Sequence, residues 1–426
     1  MNSFRDYDRS QRLLLPPDLH DWVADDDLAH FIVEAVERVD ISAFHVSRTG
    51  SGKAQYHPRM MLALLIYCYA RGIFSSRRIE AATHRDVSVR FIAANSQPDH
   101  DTIAKFRRDN SRAFEAGFAQ VLLLASEAGL LCVGTVSVDG TKIDANAAKV
   151  KSIRYDRIQV LRAKLTDDIA ALVAQAEAAE NAPEDDGLSL PDEIARREVL
   201  KARLDAAARR LEDAAAPDHD DDDPDAPPPA PDRQTNLTDP DSAVMRKSVR
   251  HEYRQAYNAQ AVVDADGSML VLATDVLATT NDRAAVEGLM DQMAQGPGQP
   301  GTLLADAGYA GETVLKALHA RDIDPLIAVS RQDASRVYDF KPPPKRAKPP
   351  PRITAPWRLK MIEKLQTEPA KALYRKRKQT VEPVFGILKS AIGFKTFSLR
   401  GLENVKSEWK LLTLAYNCKR LARMMT

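Results

Sequence analysis

Apolar and polar positions change rhythm several times along the chain, and those changes divide it. Up to residue 128 the spacing is helical: Asp27 to Val39, Pro58 to Arg71 closed by Gly72, Ser76 to His84, Asp86 to Asn95, and a further helix from Asp101. Short helices joined by tight turns predict a helix-turn-helix-like bundle over residues 1–128. Leu130 to Thr141 then reads as a buried, β-branched strand that delivers Asp139 at its tip. In residues 151–216, Ile158, Leu161, Leu165, Ile169, Leu172 and Ala176 recur at helical steps, and Ile194, Leu200, Leu204 and Leu211 form a second, looser series. Pro183, Gly187 and Pro191 lie between the two, which predicts an inserted antiparallel helical hairpin, either an interaction arm or an architectural one.

Residues 217–235 open with Pro217-Asp218-His219-Asp220-Asp221-Asp222-Asp223-Pro224, too acidic and proline-rich to fold alone, and predict a disordered linker. Strand character returns in Tyr257 to Val263 and Met269 to Val276, joined by the turn Asp264-Ala265-Asp266-Gly267. Asp282 to Met293 follows as a helix capped from Asn281. Thr302 to Tyr309 is a strand ending in Asp306, Glu312 to Ala320 a helix, and Pro325 to Val329 a strand. The order of strands and helices defines an α/β class with a mixed sheet. Its first part occupies residues 129–150 and the remainder, with basic C-terminal helices, residues 236–426.

A chain of 426 residues with an apolar share of 44% can bury the cores of two or three domains. Its formal net charge is +0, yet residues 341–426 hold about 21 Lys and Arg against about five acids. A basic final fifth on a neutral protein suits a local polyanion surface. The proline-rich basic run from Lys341 to Arg352 suits a phosphate backbone or a flexible linker. In the N-terminal bundle Arg77, Arg78, Arg85, Arg90, Arg107 and Arg108 are candidates for phosphate contact or for a solvated face. Cys68, Cys132 and Cys418 are widely spaced and suggest neither a disulfide framework nor a zinc site, so a reducing cytoplasm is expected. The longest apolar run, Met60 to Ala70, is too short to span a bilayer.

Candidate chemistry rests on three acids. Asp139 and Asp306 each end a predicted strand, and Glu382 lies on a basic helix after the last strand. Strand ends of an α/β sheet gather at one edge, so acids far apart in sequence can converge there. Three such carboxylates hold hard cations; two Mg²⁺ ions, or Mn²⁺ in their place, activate a water or a 3′-hydroxyl without any acid-base side chain. No Ser/His/Asp or Cys/His set competes. Lys378, Glu382 and Lys389 fall near one helix face while Phe385 and Leu388 turn inward, although an ordinary surface Glu–Lys pair has the same spacing. Asp144 rivals Asp139 but lies in a more polar stretch. Asp99, His100 and Asp101 suit a helix cap before Thr102, and Trp22, Trp357 and Trp409 suit core packing better than base stacking.

Several blocks in order resemble bacterial insertion-sequence transposases of the Asp-Asp-Glu class. They are Val138-Asp139-Gly140-Thr141-Lys142-Ile143, Asn236-Leu237-Thr238-Asp239-Pro240-Asp241-Ser242, Tyr257-Asn258-Ala259-Gln260, Ala305-Asp306-Ala307-Gly308-Tyr309 and Val381-Glu382-Pro383-Val384-Phe385-Gly386-Ile387-Leu388-Lys389. The opening region, with Tyr56-His57-Pro58-Arg59-Met60 and Asp99-His100-Asp101-Thr102-Ile103-Ala104-Lys105-Phe106-Arg107, is similar to the N-terminal domain of the same proteins. The resemblance implies a ribonuclease-H-like catalytic core, an N-terminal helical DNA-binding domain, and Asp139, Asp306 and Glu382 as ligands of two divalent ions. It also implies that Tyr374, an arginine and Lys389 help to hold the transposon end. The usual arginine position carries Lys378 here, which leaves Arg375, Arg377 and Lys378 as alternatives. Pro383 predicts that Glu382 opens a helix or sits at a kink. The implied activity is metal-dependent cleavage at transposon ends and 3′-hydroxyl strand transfer. The implied partners are terminal inverted repeats, target DNA and a second copy of the chain, in the bacterial cytoplasm at the nucleoid. The alternatives are a nuclease without strand transfer and an inactive DNA-binding derivative acting as a repressor or architectural factor.

Overall fold

The computed structural model describes residues 18–45, 55–179, 190–213, 230–246, 252–329 and 353–425. Most of the acidic linker and the whole basic proline-rich run from Lys341 to Arg352 lie outside these residues. The chain forms two compact units, Met1–Ala128 with Leu414–Thr426, and Gly129–Thr413. The last turns of the C-terminal helix therefore group with the first unit, whereas the sequence pattern alone ran the core to residue 426.

The first unit contains α1 (Leu28–Glu37), α2 (Pro58–Ala70), α3 (Ser76–Arg85), α4 (Val87–Ile92), α5 (His100–Asp109) and α6 (Ser111–Glu127). Asp27, Asp86 and Asp99 cap α1, α4 and α5, each accepting a backbone N–H with its side chain. α2 is apolar all round, and every residue from Met61 to Ala70 is buried, so it serves as the central rod of this unit. Among the described residues no helix is long and apolar enough to cross a membrane.

The second unit is built on a six-stranded mixed sheet. Its members are β1 (Thr135–Asp144), β4 (Ala243–Met245), β5 (Arg254–Asp264), β6 (Val271–Leu277), β7 (Thr302–Ala305) and β8 (Asp324–Ile327). β6 and β4 both pair with β5, which runs antiparallel to β1; β7 and β8 continue on the other side of β1 in parallel. An antiparallel triplet extended by two parallel strands is the ribonuclease-H-like arrangement. β5 is buried along nearly its whole length, as a strand enclosed on both sides and both faces must be.

The remaining short pair, β2 (Ser152–Arg154) and β3 (Gln234–Asn236), closes the base of the inserted hairpin of α7 (Tyr155–Ala179) and α8 (Leu190–Asp213). Ile158 and Leu165 pack against Leu204, Ala207, Ala208 and Leu211. Tyr155 donates to Glu212, Arg162 pairs with Asp205 and Arg197 with Asp168, an order that makes the two helices antiparallel. The sheet is flanked by α9 (Val286–Gln295), α10 (Glu312–His319), α11 (Pro356–Gln366), α12 (Glu368–Gly386) and α13 (Leu402–Met425).

The block from Asn236 to Ser242 acquires a structural role. Buried Asp239 accepts from the Tyr257 hydroxyl at 2.8 Å and from the Gly401 N–H at 3.1 Å, and Asp241 accepts from the Leu402 N–H at 2.8 Å. Together the two carboxylates satisfy orphan donors at the start of α13.

Candidate active site

β1 starts and ends later than its composition suggested, at Thr135 and Asp144, because β5 pairs with it from Val136↔Asp264 through Asp144↔Ala256 and holds Gly140, Thr141 and Lys142 in the ladder. Asp139, expected at a strand tip, thus stands mid-strand. Its parallel neighbour β7 is the strand that ends: pairing stops at Ser137↔Leu304, and the same register carried two residues further sets Asp139 level with Asp306. Asp306 in turn caps the short turn Ala307–Tyr309, accepting from the Gly308 N–H at 2.7 Å. Burial and the Asp306 carboxylate push the Asp139 carboxyl up to about 7, against the Gly140 N–H and the Arg377 guanidinium, while Asp282 adds to the rise.

The third acid arrives on α12, which runs across β1, β5 and β7. Its inward face is Arg377, Thr380, Val381, Val384 and Phe385, followed by buried Leu388. Arg377 forks between the acids, 3.3 Å from Asp139 and 3.3 Å from Glu382. Among the alternatives Arg375, Arg377 and Lys378, the guanidinium that reaches the acids is therefore that of Arg377; Arg375 and Lys378 are exposed. Lys378 and Glu382 do share an exposed face of α12, at i,i+4, while Arg377 lies on the buried stripe of the helix and so reaches Asp139 as well.

Pro383 neither opens nor breaks the helix. α12 runs past it to Gly386 and then widens into a π turn, Ile387–Ala391, so the missing N–H is absorbed inside a continuous helical path. Tyr374 donates from its hydroxyl to the Ala305 carbonyl at 3.1 Å, directly before Asp306. Lys389 donates to the Thr141 hydroxyl and to the Lys142 carbonyl, the latter at 2.9 Å, and so ties the π turn to β1. Lys371, Tyr374, Arg375 and Lys378 line one side of a cleft of about 750 Å³.

Three polar residues beside the acids were not singled out by their types. Asp282, read from sequence only as the first residue of a helix, accepts from Asn258 at 2.7 Å and from Gln260 at 2.9 Å. Gln260 is fully buried; the Tyr309 hydroxyl donates to its side-chain oxygen, and the Trp409 indole N–H donates to its backbone carbonyl at 2.9 Å. The available signal was a pair of amides two residues apart in an otherwise apolar strand, which puts both on one face.

Other candidates separate from this cluster. Asp144 accepts from Arg254 at 3.1 Å. Asp99 caps α5, and His100 lies 2.8 Å from Glu80. Arg107, expected among the phosphate contacts, is buried and donates to the Tyr69 hydroxyl at 3.0 Å and the Phe74 carbonyl at 2.8 Å, so it is a core residue; Arg77, Arg78, Arg85 and Arg108 are exposed. Trp409 is a core residue as expected, whereas Trp22 is 36% exposed and Trp357 stacks under the Arg358 guanidinium.

Among the described residues no three acidic, His or Cys side chains close around an ion. The donors nevertheless fit a hard divalent cation in type, all being carboxylates, and two glycines keep the space between them clear. A Cβ at Gly140 would come within 2.3 Å of the Gln260 amide nitrogen and 2.9 Å of Asp282, and one at Gly308 within 2.7 Å of Asp282 and 2.9 Å of Asp306.

An acid on β1, another just past the end of its parallel neighbour β7 and a third on a following helix are thus carried by a ribonuclease-H-like core. Comparison with known proteins agrees: residues 231–418 match the transposase DDE domain family and residues 17–109 match a transposase domain (DUF772). Two transposase families thus match successive parts of the chain, consistent with an insertion-sequence transposase of the DDE class; such transposases act on DNA and generally work with divalent metal ions. Asp306 and Glu382 lie inside the matched DDE segment, and Asp139 precedes it. No curated protein and no solved structure matches the chain significantly.

Proposed function

We propose that this transposase cleaves DNA at the ends of its element and joins the freed 3′-hydroxyls to target DNA at a single site carried by Asp139, Asp306 and Glu382. The observation that supports this most is that Asp306, just past the end of the strand parallel to β1, lies near enough to Asp139 for its charge to raise that carboxyl, with Arg377 linking Asp139 to Glu382. A pair of Mg²⁺ or Mn²⁺ ions held by these acids would supply the activated water or 3′-hydroxyl and neutralise charge at phosphorus and the leaving oxygen.

The chain's own residues do the rest. Arg377 bridges Asp139 and Glu382, and its single positive charge offsets part of the repulsion among the crowded acids. Tyr374 buttresses the end of β7 through its bond to Ala305 and so holds the approach to Asp306. Exposed Arg375 and Lys378, with Lys371, present cations along the cleft beside this strand end, where they suit the phosphates of a transposon end. Lys389 keeps the π turn against β1 and leaves its charge near the same phosphates. Arg108 belongs with the exposed cations that suit DNA contact in the N-terminal unit. We further infer action in the bacterial cytoplasm, on terminal inverted repeats and target DNA, by two or more copies of the chain.

The test is a strand-transfer assay on DNA carrying the element's terminal repeats, with Asp139→Asn, Asp306→Asn and Glu382→Gln measured singly. Each should lower cleavage and joining by two to three orders of magnitude or more while end binding persists. Full activity in any one removes that residue from the site, and cleavage without joined products would identify a nuclease instead.

A further inference from the structure

Resting on the cation site just proposed, the geometry points to a fourth acid in it: Asp282, held by Asn258 and Gln260, contributes its free carboxylate oxygen beside Asp306. The two side chains that hold it are built into the interior, Gln260 at 0% and Asn258 at 3% exposure, although an apolar pair would fill the same strand positions at lower desolvation cost. Both amides donate to Oδ1 of Asp282. The Gln260 amide is oriented by the Tyr309 hydroxyl, which donates to its oxygen, so its NH₂ is turned to the acid.

The other oxygen, Oδ2, lies 2.7 Å from the point where a Gly308 Cβ would stand, and Oδ1 of Asp306 lies 2.9 Å from that point. Two carboxylate oxygens thus converge on one spot that glycine keeps free of a side chain. Gly140, the residue after Asp139, is likewise needed for the approach of Asp282, whose Oδ1 would be 2.9 Å from its Cβ. The salt bridges of Arg377 engage Asp139 and Glu382 and neither Asp282 nor Asp306. Oriented, amide-bound carboxylates of this kind suit a hard cation, which prefers several oxygen donors.

Mn²⁺ binding to the full-length protein, followed by isothermal titration calorimetry without DNA, tests this. The isosteric Asp282→Asn should weaken Mn²⁺ binding by about 10- to 100-fold, and Asn258→Ala, which removes one of the two holding amides, should act in the same direction by less. Thermal melts without metal serve as the second readout: Asp282→Asn should keep the wild-type melting temperature or exceed it, because a like charge is removed, and its Mn²⁺-induced rise should shrink. If Asp282→Asn binds Mn²⁺ as tightly as wild type while Asp139→Asn does not, the role of Asp282 is overturned and the three-acid site stands. If Asp282→Asn melts lower and binds Mn²⁺ normally, Asp282 is a structural support and the inference again fails. If neither wild type nor any variant binds Mn²⁺, the three-acid site falls with it.

Discussion

Replacing Asp139 by asparagine should stabilise the metal-free protein at alkaline pH and lose that advantage in acid. The carboxyl is held at about 7 in the folded chain by burial and by Asp306, against an ordinary value of 3.8. Because the folded value is the higher one, the favourable contribution of the protonated acid is complete below about pH 4 and is lost as the pH rises through about 7. A gap of about three units, at roughly 1.36 kcal/mol each, amounts to about 4 kcal/mol. Asparagine mimics the neutral acid at every pH. Urea denaturation in the presence of a chelator, followed by tryptophan fluorescence, reads the catalytic unit through buried Trp409. Asp139→Asn should exceed wild type by up to about 4 kcal/mol at pH 8 and by less than half of that at pH 5. Mn²⁺ should then narrow the gap at pH 8 by favouring the ionised acid of the wild type. Equal stability at pH 8, or a gain that does not change with pH, would refute the account of Asp139 as a buried acid crowded by its neighbours.

Further outcomes follow from single contacts. Arg377→Ala leaves Asp139 without its cation and should destabilise the catalytic unit by about 3 kcal/mol at pH 8 and by less at pH 5, as measured by urea melts. Lys378→Ala should leave stability within about 0.5 kcal/mol and instead weaken DNA binding, with a salt slope reduced by about one. In the N-terminal unit Arg107→Ala should cost about 2 kcal/mol through the lost bonds to Tyr69 and Phe74, while Arg108→Ala should act on DNA binding alone. Asp241→Ala uncaps α13 and should cost about 1 kcal/mol in thermal denaturation.

Much of this protein was legible before any coordinates. Helical and alternating periodicities marked the N-terminal helices, the hairpin and the principal strands, because burial on one face writes itself into residue spacing. The three acids of the candidate site were also readable from strand ends, a basic helix and blocks shared with transposases. What stayed hidden depended on pairing across long sequence distances. The parallel pairing of β1 with β7 decides that Asp306, just past the end of β7, comes near Asp139 although Asp139 is mid-strand. The inward stripe of α12 decides that Arg377, not Lys378, bridges the acids, and that Pro383 is carried inside a helix. Arg107 looked like its exposed neighbour Arg108 until the folded bundle buried it. Asp282 became part of the cluster only through Asn258, Gln260 and the space at two glycines. Local sequence thus determined the elements and the types of donor available, since these follow from periodicity and side-chain chemistry. Only the tertiary structure decided which charges meet, because registers and buried faces are set by packing between segments that the chain keeps far apart.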